Sequence, residues 1–134
     1  MPMSMGPISV LVVENDEVNA QVARRMLQRL GCRVDLAAHG AKAVELFGKE
    51  AYDMIFMAWQ LPFMDGLETT ARIRNMPRGQ VVPIVGTSAR IGRLECLAAG
   101  MNDLMPKPFR LESLKLELSK WTLWKESPQA EPGK

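Results

Sequence analysis

Four separated segments of this 134-residue chain bring together residue types that can do anion, metal or ion-pair chemistry. Glu14, Asn15 and Asp16 follow the apolar run Val10-Leu11-Val12-Val13; Ala58, Trp59 and Gln60 follow Met54-Ile55-Phe56-Met57. Thr87 and Ser88 close a third apolar stretch, and Lys107 stands between Pro106 and Pro108. Acidic oxygens suit a hard divalent cation, and a hydroxyl with a lysine suits an oxyanion. The same residues also suit a plainer role as helix caps plus one ion pair. Asp16 could accept a hydrogen bond from the first turn of a following helix, where its charge also favours the positive end of the helix dipole. The pattern leaves both readings open. Cys32 and Cys96 have no metal-ligand spacing and lie in apolar contexts, which reads as two buried reduced thiols. His39, just before Gly40, has no neighbour at ligand spacing and reads as a plain surface histidine. No nucleophile–base pair and no Gly-rich phosphate loop can be drawn, so an enzyme is not expected.

Those residues need elements to carry them to one place. The chain alternates short apolar runs with helical stripes. Val18, Val22 and Met26, widened by Ala23, Leu27 and Leu30, mark a first helix that Gly31 ends. Residues 34–37 predict a second strand, and Val44 with Phe47 a helix closing near Gly48. After the third run, Pro62 and Asp65-Gly66 signal a loop, and Leu67, Ala71 and Ile73 a weaker helix. Residues 81–85 predict a fourth strand, with Pro83 near its start, where a missing donor is tolerable. Ile91, Leu94, Leu97 and Met101 predict the next helical face, and Leu104-Met105 a very short strand. Leu111, Leu114, Leu118 and Trp121 stripe a last helix.

Five strands alternating with helices over short loops predict an α/β fold, a doubly wound parallel sheet covered on both faces. At this length the flavodoxin-like (βα)5 order 2-1-3-4-5 fits, and functional groups then gather beyond the carboxyl ends of the strands. Residues 1–7 read as a disordered leader or linker, 8–124 as the domain, and 125–134 as a tail or linker. With 47% hydrophobic and 24% charged residues and a net charge of +2, the totals predict a soluble domain and give no case for a nucleic-acid surface. No apolar run approaches the ~20 residues that span a bilayer, so no membrane insertion and a cytoplasmic setting are expected.

The motifs now resemble a known family. Val10-Leu11-Val12-Val13-Glu14-Asn15-Asp16-Glu17-Val18-Asn19 resembles the first strand and acidic loop of response-regulator receiver domains. Gln60-Leu61-Pro62-Phe63-Met64-Asp65-Gly66-Leu67-Glu68 is similar to their loop after the third strand. Val82-Pro83-Ile84-Val85-Gly86-Thr87-Ser88-Ala89 is similar to the fourth strand with its switch hydroxyl. Leu97-Ala98-Ala99-Gly100-Met101-Asn102-Asp103 and Lys107-Pro108-Phe109 complete the fifth unit, in the style of receivers attached to hybrid histidine kinases.

The resemblance implies phosphoryl transfer to an aspartate ending the third strand, beside a magnesium ion held by that aspartate and an acidic pair after the first strand. A lysine and a Ser/Thr hydroxyl hold the phosphoryl oxygens. This chain departs from that pattern in three places. Its acceptor position is Ala58, its acidic pair is Glu14-Asn15, and its aromatic switch position is Leu104. Ser88 and Lys107 keep the phosphate-contact positions, and Asp16 could substitute for the lost acid only by turning away from a cap. An engineered acceptor-null replacement in an active receiver accounts for Ala58 but not for Asn15 or Leu104. The expectation is therefore a degenerate pseudo-receiver of two-component signalling, outside the chemistry of the phosphorelay, with magnesium binding weak or absent and no other cofactor.

Such a domain is expected to act by binding protein: a histidine kinase, another receiver, or its own copy. The face implied for this is that of the fourth helix, fifth strand and fifth helix, carrying Arg90, Arg93, Leu104, Arg110, Lys115 and Trp121. The alternative for that face is a solvated helix surface. A second function class, a sensor for a small anionic ligand such as a cyclic dinucleotide, rests on the same loose basic residues. An acceptor other than residue 58 is the third.

Overall fold

The structure is a computed structural model that describes residues 6–88 and 92–126. It contains β1 (Ser9–Val13), α1 (Glu17–Arg29), β2 (Arg33–Ala37), α2 (Gly40–Lys49), β3 (Met54–Ala58), α3 (Gly66–Arg74), β4 (Ile84–Thr87), α4 (Arg93–Ala98), β5 (Asp103–Met105) and α5 (Leu111–Trp121). All strands run parallel in one sheet of order β2-β1-β3-β4-β5, the order expected from the sequence. β1 and β3 are apolar almost throughout because helices cover both sheet faces. On one face Leu11, Val13, Phe47, Ile55, Ile73 and Ile84 pack under α2, α3 and α4. On the other, Val10, Leu27, Phe56, Val85, Leu114 and Leu118 pack under α1 and α5.

The helices start where their caps allow. Asp16, extended at φ −80° and ψ 116°, accepts from Val18 N at 3.0 Å and opens α1. Asp65 accepts from Glu68 N at 2.9 Å and opens α3. His39 is not a plain surface residue: its Nδ1 accepts from Lys42 N at 3.2 Å and caps α2. Gly31 follows α1 at φ +88°, a conformation that costs a residue with a Cβ. At the base of the domain Arg74 donates to the carbonyls of Gly79, Val82 and Gly100 and to Asn102 Oδ1, which itself accepts from Ile84 N. One guanidinium thus fastens α3 to both ends of the α4 crossover.

Three sequence expectations shift. In α1 the buried residues are Ala20, Ala23 and Leu27, with Leu30 beyond, whereas Val18 is 70% exposed and Val22 also faces solvent. The small alanines let the helix lie close on the sheet, so the phase turns away from the valines. β4 begins at Ile84, after Pro83, and Val81 is exposed; Pro83 lacks the donor that would extend the ladder. In α4 the inward residue is Cys96, followed by Met101 after the helix, and Leu94 and Leu97 face outward. Arg90 and Ile91 lie outside the described residues, as do most of the expected leader and tail.

Candidate functional site

Parallel strands bring their carboxyl ends to one edge, and the register aligns them closely. Val13 pairs with Ala37 and Met57, Ala58 with Thr87, and Thr87 with Met105. The residues just beyond, Glu14, Trp59, Ser88 and Lys107, are therefore carried to one edge from four distant segments. Glu14 is 3% exposed and its backbone N donates to Ala37 O at 2.9 Å, which extends the β1–β2 ladder by one step. That anchor aims its carboxylate across the sheet, where Oε1 lies 2.5 Å from Lys107 Nζ. Its other oxygen accepts from Asp16 N at 3.0 Å. Lys107 is held by the loop after β5, in which the peptide bond to Pro108 is cis.

Ala58 is fully buried and presents only a methyl group. The loop behind it is drawn in tightly: Gly66 N donates to Trp59 O at 2.8 Å, and a Cβ on Gly66 would stand 2.0 Å from Ala58 O. Ser88 is buried, and its backbone N donates to Met105 O at 3.2 Å, bridging β4 to β5. Asn15 is exposed. Asp16 does not turn toward Ala58; Oδ1 caps α1 and Oδ2 accepts from Asn19 Nδ2 at 3.2 Å. A cleft of about 320 Å³ opens beside Glu14, Asn15 and Ala38, and neither Ala58 nor Lys107 lines it.

Whether these donors suit a divalent cation follows from their present partners. Such a site wants several hard oxygens converging on one point. Here Ala58 contributes no side-chain oxygen, one Glu14 oxygen meets an ammonium and the other meets an amide hydrogen. Among the described residues no group of three His, Cys, Asp or Glu side chains is placed to hold a metal ion.

Comparison with known proteins settles the family. Residues 10–119 match the response regulator receiver domain. The chain belongs to that family. The receiver resembles the aerobic respiration control sensor protein ArcB of Escherichia coli K12, with 35% identity over 122 residues, 89% of this chain and 16% of ArcB. The chain spans 7–16% of the length of the first curated relatives it matches. Among solved structures, the receiver domain of the sensor histidine kinase PA1611 from Pseudomonas aeruginosa PAO1 is 40% identical with a TM-score of 0.81, covering 87% of this chain and 98% of that one. That structure is described with a magnesium ion coordinated in its active-site cleft. A co-crystal structure of the Saccharomyces cerevisiae phosphotransfer protein Ypd1 with the receiver domain of Ssk1 also matches, at 26% identity and a TM-score of 0.79, covering 89% and 91%.

The receiver's second group of expected residues is less of a unit than the sequence implied. Leu104 packs into the layer of α4, whereas Trp121 packs into the layer of α5, so the two meet opposite faces of the sheet on either side of its β5 edge. Arg93 Nη1 lies 2.6 Å from Asp103 Oδ1, and Lys115 Nζ meets Glu126 at 2.7 Å and Glu112 at 3.5 Å. Arg110 is exposed at the start of α5. The residue at the centre, Asp103, was missed as a site: it is 2% exposed and binds both Arg93 from α4 and Lys120 from α5. Its sequence signal was faint, an acid two residues before the fifth strand's end facing Glu117 and Lys120 three apart on a helix.

Proposed function

We infer that this receiver is silent as a phosphoacceptor and acts by binding protein. The observation that carries the reading is the Glu14–Lys107 ion pair beside the Ala58 methyl. The lysine that would hold a phosphoryl oxygen already has a carboxylate, the acceptor carboxylate has no counterpart, and Asn15 brings no charge to the cation site. Magnesium binding is weak or absent on this reading, since each remaining donor is engaged or neutral. The partner is a histidine kinase, a phosphotransfer protein or another receiver. Support comes from the outer face of α1, where Val18 and Val22 stand uncovered beside Arg25, and from Leu94 and Leu97 on α4. A second copy meeting the α4–β5–α5 face belongs to the same proposal. The anionic-ligand alternative draws no support, because Arg93 and Lys115 already face carboxylates. Burial and the nearby Asp53 charge push the Cys32 thiol up to about 11, and among the described residues no helix is long and apolar enough to cross a membrane.

Incubation with acetyl phosphate and Mg²⁺, followed by intact mass measurement, tests the reading. The expected outcome is an unchanged mass; an added phosphoryl group overturns it. Ala58→Asp alone is expected to label weakly, and Ala58→Asp with Asn15→Asp substantially better. Full labelling of the single variant would show that position 15 does not limit the cation site.

A further inference from the structure

Beneath the α4–β5–α5 face two buried carboxyl groups, Asp103 and Glu117, share the ammonium of Lys120. Asp103 on β5 is 2% exposed and Glu117 on α5 is 6% exposed. The groups that meet them differ sharply. Asp103 takes Arg93 on Oδ1 at 2.6 Å, Lys120 on Oδ2, and the Leu104 amide at 2.8 Å. Glu117 Oε1 takes the Trp121 indole at 2.9 Å, and among the described residues the only cation paired with it is Lys120, at 4.0 Å and already turned to Asp103. On β4 the residue opposite Asp103 in the ladder is the uncharged Val85. Two adjacent buried carboxylates repel, so the one with fewer partners retains its proton.

We propose that Glu117 is the protonated member of a carboxyl pair with Asp103, and that this shared-proton contact is a pH-sensitive latch holding α5 to β5, with Arg93 extending it to α4. Loss of the proton to solvent sets two like charges side by side under the face and drives Glu117 outward. Burial first, then the Asp103 charge, push the Glu117 carboxyl up, against the opposing Trp121 indole and Lys120. Burial alone would raise Asp103 too, but Lys120, the Leu104 amide and Arg93 together hold it well below the usual carboxylate range. The two acids are thereby separated in the manner of any unequal buried pair. What the latch regulates, partner contact at this face, rests on the binding reading above; the latch itself does not.

The Trp121 indole, bonded to Glu117, reports the proton directly. In a ¹⁵N-labelled sample of the full chain, assigned with Trp121→Phe, its Nε1–H cross-peak is expected to titrate with a midpoint above the ordinary glutamate value of ~4.3. Those of Trp59 and Trp124 are expected to stay still through that transition. Glu117→Gln, which keeps an acceptor for the indole, should abolish the transition. Asp103→Asn, by removing the like charge, should lower the midpoint. A Trp121 signal that is flat from pH 4 to 9, or that titrates identically in Glu117→Gln, overturns the proposal. Neither result bears on phosphorylation, so the latch and the silent-acceptor reading fail separately.

Discussion

Replacing Lys107 with Met isolates the ion pair on which the silent site depends. At 2.5 Å the two charges attract by about 7 kcal/mol at an effective dielectric of ~20, a gross figure from which desolvation takes most. What the variant leaves behind matters more. The Glu14 carboxylate, 3% exposed, would keep one partner, the Asp16 amide. Removing one member of a buried pair costs about 3–5 kcal/mol. The lysine side chain is 25% exposed, so water reaches its place and moderates the loss to about 2–3 kcal/mol. For a domain of this size that is a fall in melting temperature of roughly 7–11 °C. Glu14→Gln combined with Lys107→Met removes both charges at similar volume and is expected to recover most of the loss, to within about 1 kcal/mol of the parent. Urea unfolding of the parent, both single variants and the double variant closes the cycle. The Lys107→Met cost should also persist in 1 M NaCl, since the buried carboxylate is little screened. A cost under about 0.5 kcal/mol, or a double variant that loses the sum of the singles, would refute the idea that this pair satisfies the site.

Three further outcomes follow from particular residues. Gly66→Ala should destabilise by about 3 kcal/mol or more in thermal melts, because the new methyl would sit 2.0 Å from the Ala58 carbonyl and both are backbone-held. Phe63 is fully exposed at φ 71°. Phe63→Gly relieves a left-handed strain of ~1–2 kcal/mol against a glycine entropy of ~0.5–1, so a gain of about 0.5–1 kcal/mol is expected in urea, and a loss would show the turn to be unstrained. Asp103 has its folded value depressed by Lys120, the Leu104 amide and Arg93 against burial. A depressed acid contributes stability above its unfolded value of about 3.8 and loses it as pH falls further. Melting temperature should therefore drop more between pH 5 and pH 2 in the parent than in Asp103→Asn; parallel curves would remove Asp103 from the account.

The sheet order and the strand-end site were legible in the chain because hydrophobic runs and turn residues are local signals, and a parallel sheet leaves few ways to join them. Ala58, Asn15 and Leu104 could be marked as departures for the same reason, since a motif's order survives without coordinates. Side-chain partnership is different, because it depends on helix phase and on distances between segments far apart in sequence. Nothing local says that alanines rather than valines turn α1 inward, or that His39 caps α2. That Arg93 and Lys120 spend their charge on a buried Asp103, leaving Glu117 short of a cation, depends on α4, β5 and α5 converging. Only the tertiary structure decided it: burial sets the strength of a charge, and burial is a property of the packed whole.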